Sequence, residues 1–123
     1  MNNLLLDTNI LIYILQGNAS VREILEDKKW FISYISEMEL QMKPDMAPME
    51  LKAVQALLEE CFILEMNNVI KAKAIANARH YKLKLADSII LATAQTNNFS
   101  FLTADSVFKK IAQETNDVLF IVS

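Results

Sequence analysis

The stretch Leu4-Leu5-Leu6-Asp7-Thr8-Asn9-Ile10-Leu11-Ile12-Tyr13-Ile14-Leu15 decides the fold. Three consecutive leucines make a strand that is apolar on both faces, which suits the interior of a parallel sheet covered by helices. Ile10, Leu11, Ile14 and Leu15 then recur at helical spacing. Gly17, the only glycine in the chain, supplies the stop. A buried strand running through a polar turn into a helix is half of a βαβ unit, and Asp7 stands at the strand's carboxyl end. In an open parallel sheet, sites form beyond those ends.

The alternation continues outward from this unit. Residues 30–33, 62–64, 99–102 and 118–121 read as further strands. Helical spacing marks residues 21–25, capped by Ser20, and residues 51–60, 69–80, 86–96 and 107–113. Ser36-Glu37-Met38-Glu39 has capping-box spacing and starts another helix. Pro44 and Pro48 mark a turn, and Asn97-Asn98 punctuates an exit. Strands alternating with helices predict an α/β domain, a parallel sheet with helices on both faces. No linker, repeat or low-complexity tract interrupts it, so one domain over residues 1–123 is expected.

Composition narrows the function classes. Hydrophobic residues make up 53% of the chain, enough to leave apolar surface for a partner. Cys61 is the only cysteine, so it forms no intrachain disulfide and reads as a buried structural thiol. Residues 4–15 are apolar but lack a basic leader and contain Asp7, which argues against an export signal. No window is long enough for a membrane span, and a cytoplasmic protein with no membrane partner is expected. A single glycine excludes a phosphate-cradling glycine-rich loop. The net charge of −3 disfavours a nucleic-acid partner in sum, but not in distribution. Residues 67–86 contain no acid, yet hold Lys71, Lys73, Arg79, His80, Lys82 and Lys84. That run is either a solvated helix face or a basic approach to an acidic pocket, with Arg79, Lys82 and Lys84 on flanking phosphates.

Four carboxylates carry the chemistry. Asp7 and Asp105 each follow an apolar strand, Glu39 lies just beyond another, and Asp87 opens the apolar run Ser88-Ile89-Ile90-Leu91-Ala92. Each has a structural explanation of its own: an Asx-turn for Asp7, a capping box for Glu39, the helix dipole for Asp87, an N-cap for Asp105. One shared site explains all four placements together. Two carboxylates about 4 Å apart repel by roughly 4 kcal/mol at an effective dielectric near 20, so such a cluster calls for a cation or a proton. Hard oxygen donors select Mg²⁺ or Mn²⁺. Such an ion polarises a phosphate and acidifies an attacking water, and the matching reaction is phosphodiester hydrolysis. Thr8, Asn9 and Thr103 are the expected supporting residues, with the Asn9 amide donating to Asp7 or to the backbone beyond it.

Four segments in order resemble the PIN-domain ribonucleases, and among them the VapC-like toxins of toxin–antitoxin pairs. They are Leu5-Leu6-Asp7-Thr8-Asn9-Ile10-Leu11-Ile12, Ser33-Tyr34-Ile35-Ser36-Glu37-Met38-Glu39-Leu40, Leu85-Ala86-Asp87-Ser88-Ile89-Ile90-Leu91-Ala92-Thr93-Ala94 and Phe101-Leu102-Thr103-Ala104-Asp105-Ser106-Val107-Phe108. The resemblance implies a three-layer α/β/α sandwich with a five-stranded, mainly parallel sheet. It implies a Mg²⁺- or Mn²⁺-dependent endoribonuclease acting on RNA, with Asp7, Glu39, Asp87 and Asp105 as catalytic metal ligands. It also implies a homodimer and a cognate antitoxin that occludes the site. Many relatives carry a further acid where Val107 stands, and a glycine shortly before the third segment where this chain has Ala78-Arg79-His80-Tyr81-Lys82-Leu83.

Met38, Met42, Met46 and Met49 surround the two prolines. Methionine adapts to varied apolar partners, so this hairpin is expected on the antitoxin or dimer surface, ordinary core filling being the alternative. Two rival functions remain open. One is a non-catalytic PIN-like RNA-binding or scaffold domain. The other is a phosphoryl-transfer domain, which would want a second acid where Asn9 stands, or a lysine where Thr103-Ala104 lies.

Overall fold

The three leucines form β1 (Asn3–Leu6), and every side chain from Leu4 to Leu6 is buried. A computed structural model describes residues 2–121. β1 is the middle strand of a five-stranded sheet with β2 (Lys29–Ser33), β3 (Phe62–Leu64), β4 (Ser100–Thr103) and β5 (Val118–Phe120), in the order β3-β2-β1-β4-β5. All four pairings are parallel, with Leu5 opposite Phe31 on one side and Phe101 on the other. The chain first builds outward through β2 and β3, then returns to the far side of β1 for β4 and β5. The strand order therefore reverses between β1 and β4, whose carboxyl ends bound the crevice where α/β sheets place ligands.

Alternating side chains sort the helices into two layers. Leu4, Leu6, Ile32 and Leu102 face a core built with α1 (Thr8–Leu15), α2 (Ala19–Leu25) and α4 (Pro48–Glu59), with Leu40 of α3 (Tyr34–Gln41) closing it. Leu5, Phe101 and Val118 face the opposite way, onto α6 (Leu85–Thr96) and α7 (Lys109–Glu114). Phe108, from the 3₁₀ turn Ser106–Phe108, meets Phe101 edge-on at 5.0 Å between ring centroids. α5 (Asn68–Tyr81) lies against α6 through Ile70, Ala74, Ile89 and Ala92. The expected α/β/α sandwich is thus observed.

Several element starts differ from the expectation, each for a local reason. α2 is capped by Asn18, whose side-chain oxygen accepts from Val21 N–H at 3.1 Å, so Ser20 falls inside the helix. α3 begins at once after β2, because Ser33 Oγ accepts from Ile35 N–H at 3.1 Å. That cap puts Ser36 and Glu39 inside the helix rather than in a capping box. The capping carboxylate is instead Glu50, which accepts from Ala47 N–H at 3.4 Å, with Pro48 at the first position of α4. β4 runs one residue later than expected, which places Thr103 in the strand. Cys61 is partly buried, and burial pushes its thiol up to about 12, as a structural thiol requires. Among the described residues, no helix is long and apolar enough to cross a membrane.

Candidate active site

The turn after β1 fixes the first carboxylate. Asp7 has extended backbone and caps α1, its Oδ1 accepting from Thr8 N–H at 2.9 Å. Its Oδ2 accepts from the Thr103 hydroxyl at 2.7 Å, across the switch point from the end of β4. The same hydroxyl oxygen accepts from Asp105 N–H at 3.0 Å. A fully buried threonine therefore ties the turn after β1 to the turn after β4. Asp7 is only 4% exposed. Burial lifts its carboxyl from 3.8 to about 6. The Thr103 and Thr8 hydrogen bonds oppose that rise, and the charges of Asp87 and Asp105 add to it.

Glu39 reaches the same crevice from α3. Thr8 Oγ1 donates to Glu39 Oε1 at 2.6 Å and lies 2.8 Å from Ser36 Oγ. Since the Thr8 proton goes to the carboxylate, the buried Ser36 hydroxyl donates to Thr8. Asp87 sits in the first turn of α6, its carboxyl held above the usual range by burial and by the charges of Asp105 and Glu39, while Lys84 opposes the rise. Asp105 caps the 3₁₀ turn, its Oδ1 accepting from Val107 N–H at 3.1 Å.

The four acids thus share one electrostatic neighbourhood, although four separate segments supply them. Asp7 feels Asp87 and Asp105, and Asp87 feels Asp105 and Glu39. No cation pairs with any of them: Lys43–Glu50 is the only ion pair among the described residues. All donors are hard oxygens, the set that suits Mg²⁺ or Mn²⁺. Yet no three His, Cys, Asp or Glu side chains among the described residues stand as a ready-made ion-binding group. Glu39 accepts from Thr8 and Asp105 from the Val107 amide.

The supporting residues divide. Thr8 and Thr103 hold carboxylates as expected, whereas among the described residues the donors to Asp7 are Thr8 N–H and the Thr103 hydroxyl, not Asn9. Ser36 was assigned to a cap and instead orients Thr8. Its place three residues before Glu39, on the same helix face, is the signal that pointed to it. Of the basic residues, Lys84 stands at the N-cap position of α6 without a side-chain cap, and its charge acts on Asp87. Lys82 lies in a cleft with His80 and Lys110, and Arg79 lines a separate groove between α5 and α6.

The sequence matches the PIN domain family over residues 4–114. The chain belongs to the PIN-domain family. Similar folds occur in a toxin–antitoxin complex from Klebsiella pneumoniae, at 32% identity and a TM-score of 0.79 over 94% of each chain. VapBC2 from Rickettsia felis, bound to a DNA fragment from its promoter, matches at 16% identity and 0.75, covering 98% of each chain. VapBC-1 from nontypeable Haemophilus influenzae matches at 20% identity and 0.74, over 98% of this chain and 97% of that one. The last two show the fold alone. Among curated proteins, none matches the chain. The PIN-domain resemblance is borne out, and Asp7 and Asp105 lie at the switch point of a PIN fold.

Proposed function

We propose that this PIN protein is a Mg²⁺- or Mn²⁺-dependent endoribonuclease and the toxin of a toxin–antitoxin pair. The observation that carries the reading is Asp7: a carboxylate held by Thr103 and Thr8 that is pushed toward neutrality chiefly by burial and further by the charges of Asp87 and Asp105. Such a group is costly to ionise without a cation nearby, and costly sites of this kind belong to function. Asp7, Glu39, Asp87 and Asp105 would hold the ion. When bound, it supplies Lewis-acid polarisation of the phosphate and a more acidic attacking water. Thr103 fixes the direction of Asp7, the Ser36–Thr8 pair fixes Glu39, and Lys84 attracts substrate phosphate at the mouth. No histidine base is required.

The antitoxin has a seat next to this site. Ile12, Leu15, Leu40, Met46 and Val54 line a groove of about 370 Å³ that ends at Glu39, with the Lys43–Glu50 ion pair on its rim. Met38, Met42 and Met49 are exposed at 50%, 68% and 84%, so core filling is excluded for these three. Met46 alone packs against the core. Adaptable exposed apolar side chains beside an acidic pocket suit a partner peptide that is apolar with a basic residue near Glu39. The Klebsiella pneumoniae relative, itself from a toxin–antitoxin complex, supports this reading. A homodimer belongs to the same proposal, and exposed Val69, Ile75 and Leu85 along α5 and α6 offer apolar surface for it.

The test is cleavage of total cellular RNA by the antitoxin-free protein, with Mg²⁺ or Mn²⁺ against EDTA and with Asp7→Asn alongside. Discrete, metal-dependent fragments absent with Asp7→Asn support the nuclease. Intact RNA from a folded sample under every condition transfers the reading to a non-catalytic RNA-binding or scaffold domain.

A further inference from the structure

A second cleft shares Val107 with the turn that Asp105 caps. His80, Tyr81 and Lys82, at the end of α5, face Val107, Lys110, Ile111 and Glu114 across a space of about 340 Å³. That volume lies within the roughly 300–1,000 Å³ of small-molecule sites. Two links tie the cleft to the carboxylates. Val107 forms its lip, and the amide of Val107 donates to Asp105 Oδ1 at 3.1 Å. On the other side, Lys82 is two residues from Lys84, whose charge acts on Asp87. Lys82 adopts a left-handed backbone, φ 57, which ends α5 two residues before Lys84.

The chemistry of the walls is specific. His80 is exposed and meets Tyr81 edge-on, with ring centroids 4.5 Å apart. Lys82 and Lys110 are exposed ammonium groups on opposite walls, with Glu114 the single acid. An aromatic step flanked by two ammonium groups is what a single-stranded polynucleotide needs, a stacking face with charge for its backbone. In a chain of net charge −3, two lysines beside an aromatic pair at the edge of the acid site are a local reversal of sign.

We propose that this cleft is the subsite for a nucleotide flanking the cleaved bond, its base stacked on His80 and its phosphates held by Lys82 and Lys110. The inference rests on the ribonuclease reading and adds to it a place where the RNA strand leaves the crevice.

The test uses the full chain carrying Asp7→Asn, with Mg²⁺, and a fluorescein-labelled single-stranded oligoribonucleotide of mixed sequence, read by fluorescence anisotropy. His80→Ala should weaken binding roughly tenfold, and His80→Phe should restore it, because stacking needs only a ring. Lys110→Ala should lower the slope of log affinity against log salt by about 0.7, the contribution of one phosphate contact on a single strand. Lys29→Ala, at the other end of the sheet, should change nothing. Thermal melts check that each variant is folded, and a structural role for His80 would not be rescued by Phe together with an unchanged salt slope. If the oligonucleotide binds but His80→Ala and Lys110→Ala bind equally well, the subsite is wrong and the nuclease stands. Absence of any binding also overturns the subsite, while cleavage of total RNA separately decides the nuclease.

Discussion

Asp7→Asn should stabilise the metal-free protein at neutral and alkaline pH. The carboxyl lies at about 6 in the fold against an ordinary 3.8, chiefly because it is buried. At about 1.4 kcal/mol per pH unit, that difference corresponds to an upper bound of about 3 kcal/mol by which the ionised form disfavours the fold. The sign follows from the direction of the shift. Below the ordinary value the group is neutral in both states and contributes nothing. Its destabilising effect grows as pH rises toward the folded value and is complete above it. Asparagine removes the charge but accepts from only one of the two donors that Asp7 serves, Thr8 N–H and the Thr103 hydroxyl. The lost hydrogen bond returns about 1 kcal/mol, so a net gain of about 1–2 kcal/mol is expected. Urea unfolding in EDTA reads this as a higher midpoint at unchanged slope, large at about pH 8 and small at about pH 4. Added Mg²⁺ should reverse the order. An ion at about 100 times its dissociation constant stabilises the wild type by about 2.7 kcal/mol, and the variant by less. An Asp7→Asn protein that is less stable than wild type at alkaline pH, or whose difference ignores pH, would refute the argument that burial and neighbouring acids strain this carboxylate.

Thr103→Val keeps shape but removes both the donor to Asp7 and the acceptor for Asp105 N–H. It should cost about 1–3 kcal/mol in urea unfolding, more at alkaline pH, where the Asp7 charge loses its partner. Metal-dependent RNA cleavage should fall with it, whereas unchanged cleavage would show that Asp7 needs no anchoring. Met38→Ser with Met42→Ser should weaken antitoxin binding in calorimetry and leave the melting temperature within about a degree, since surface changes rarely matter to stability. A melted double variant would show that these exposed methionines support the fold rather than a partner. Phe108→Ala empties a fully buried site against Phe101 and should cost about 3–5 kcal/mol. A loss under 1 kcal/mol would mean that the turn after β4 does not depend on that packing.

What the sequence made legible follows from what determines it. β1 was readable because three leucines buried on two faces leave few alternatives, and Asp7 and Asp105 were readable because a strand's end is where its apolar run stops. Helix starts were harder. A capping box and an ordinary helix interior both satisfy Ser36-Glu37-Met38-Glu39, and the choice was made upstream by Ser33, whose cap depends on where β2 ends. That choice has a functional consequence. Had Glu39 closed a box with Ser36, its carboxylate would be turned back on its own helix. Because α3 starts three residues earlier, Ser36 instead donates to Thr8 and Thr8 to Glu39, so an acid from α3 is held by the turn that carries Asp7. Side-chain distance was the part no periodicity carries. The sequence points to four acids at one crevice, and it does not show that Glu39 accepts from Thr8 and Asp105 from the Val107 amide. Both bonds are solvent-exposed and open to exchange with water or an ion. The buried Thr103–Asp7 bond is not, which makes Asp7 the fixed point around which the other three carboxylates would close.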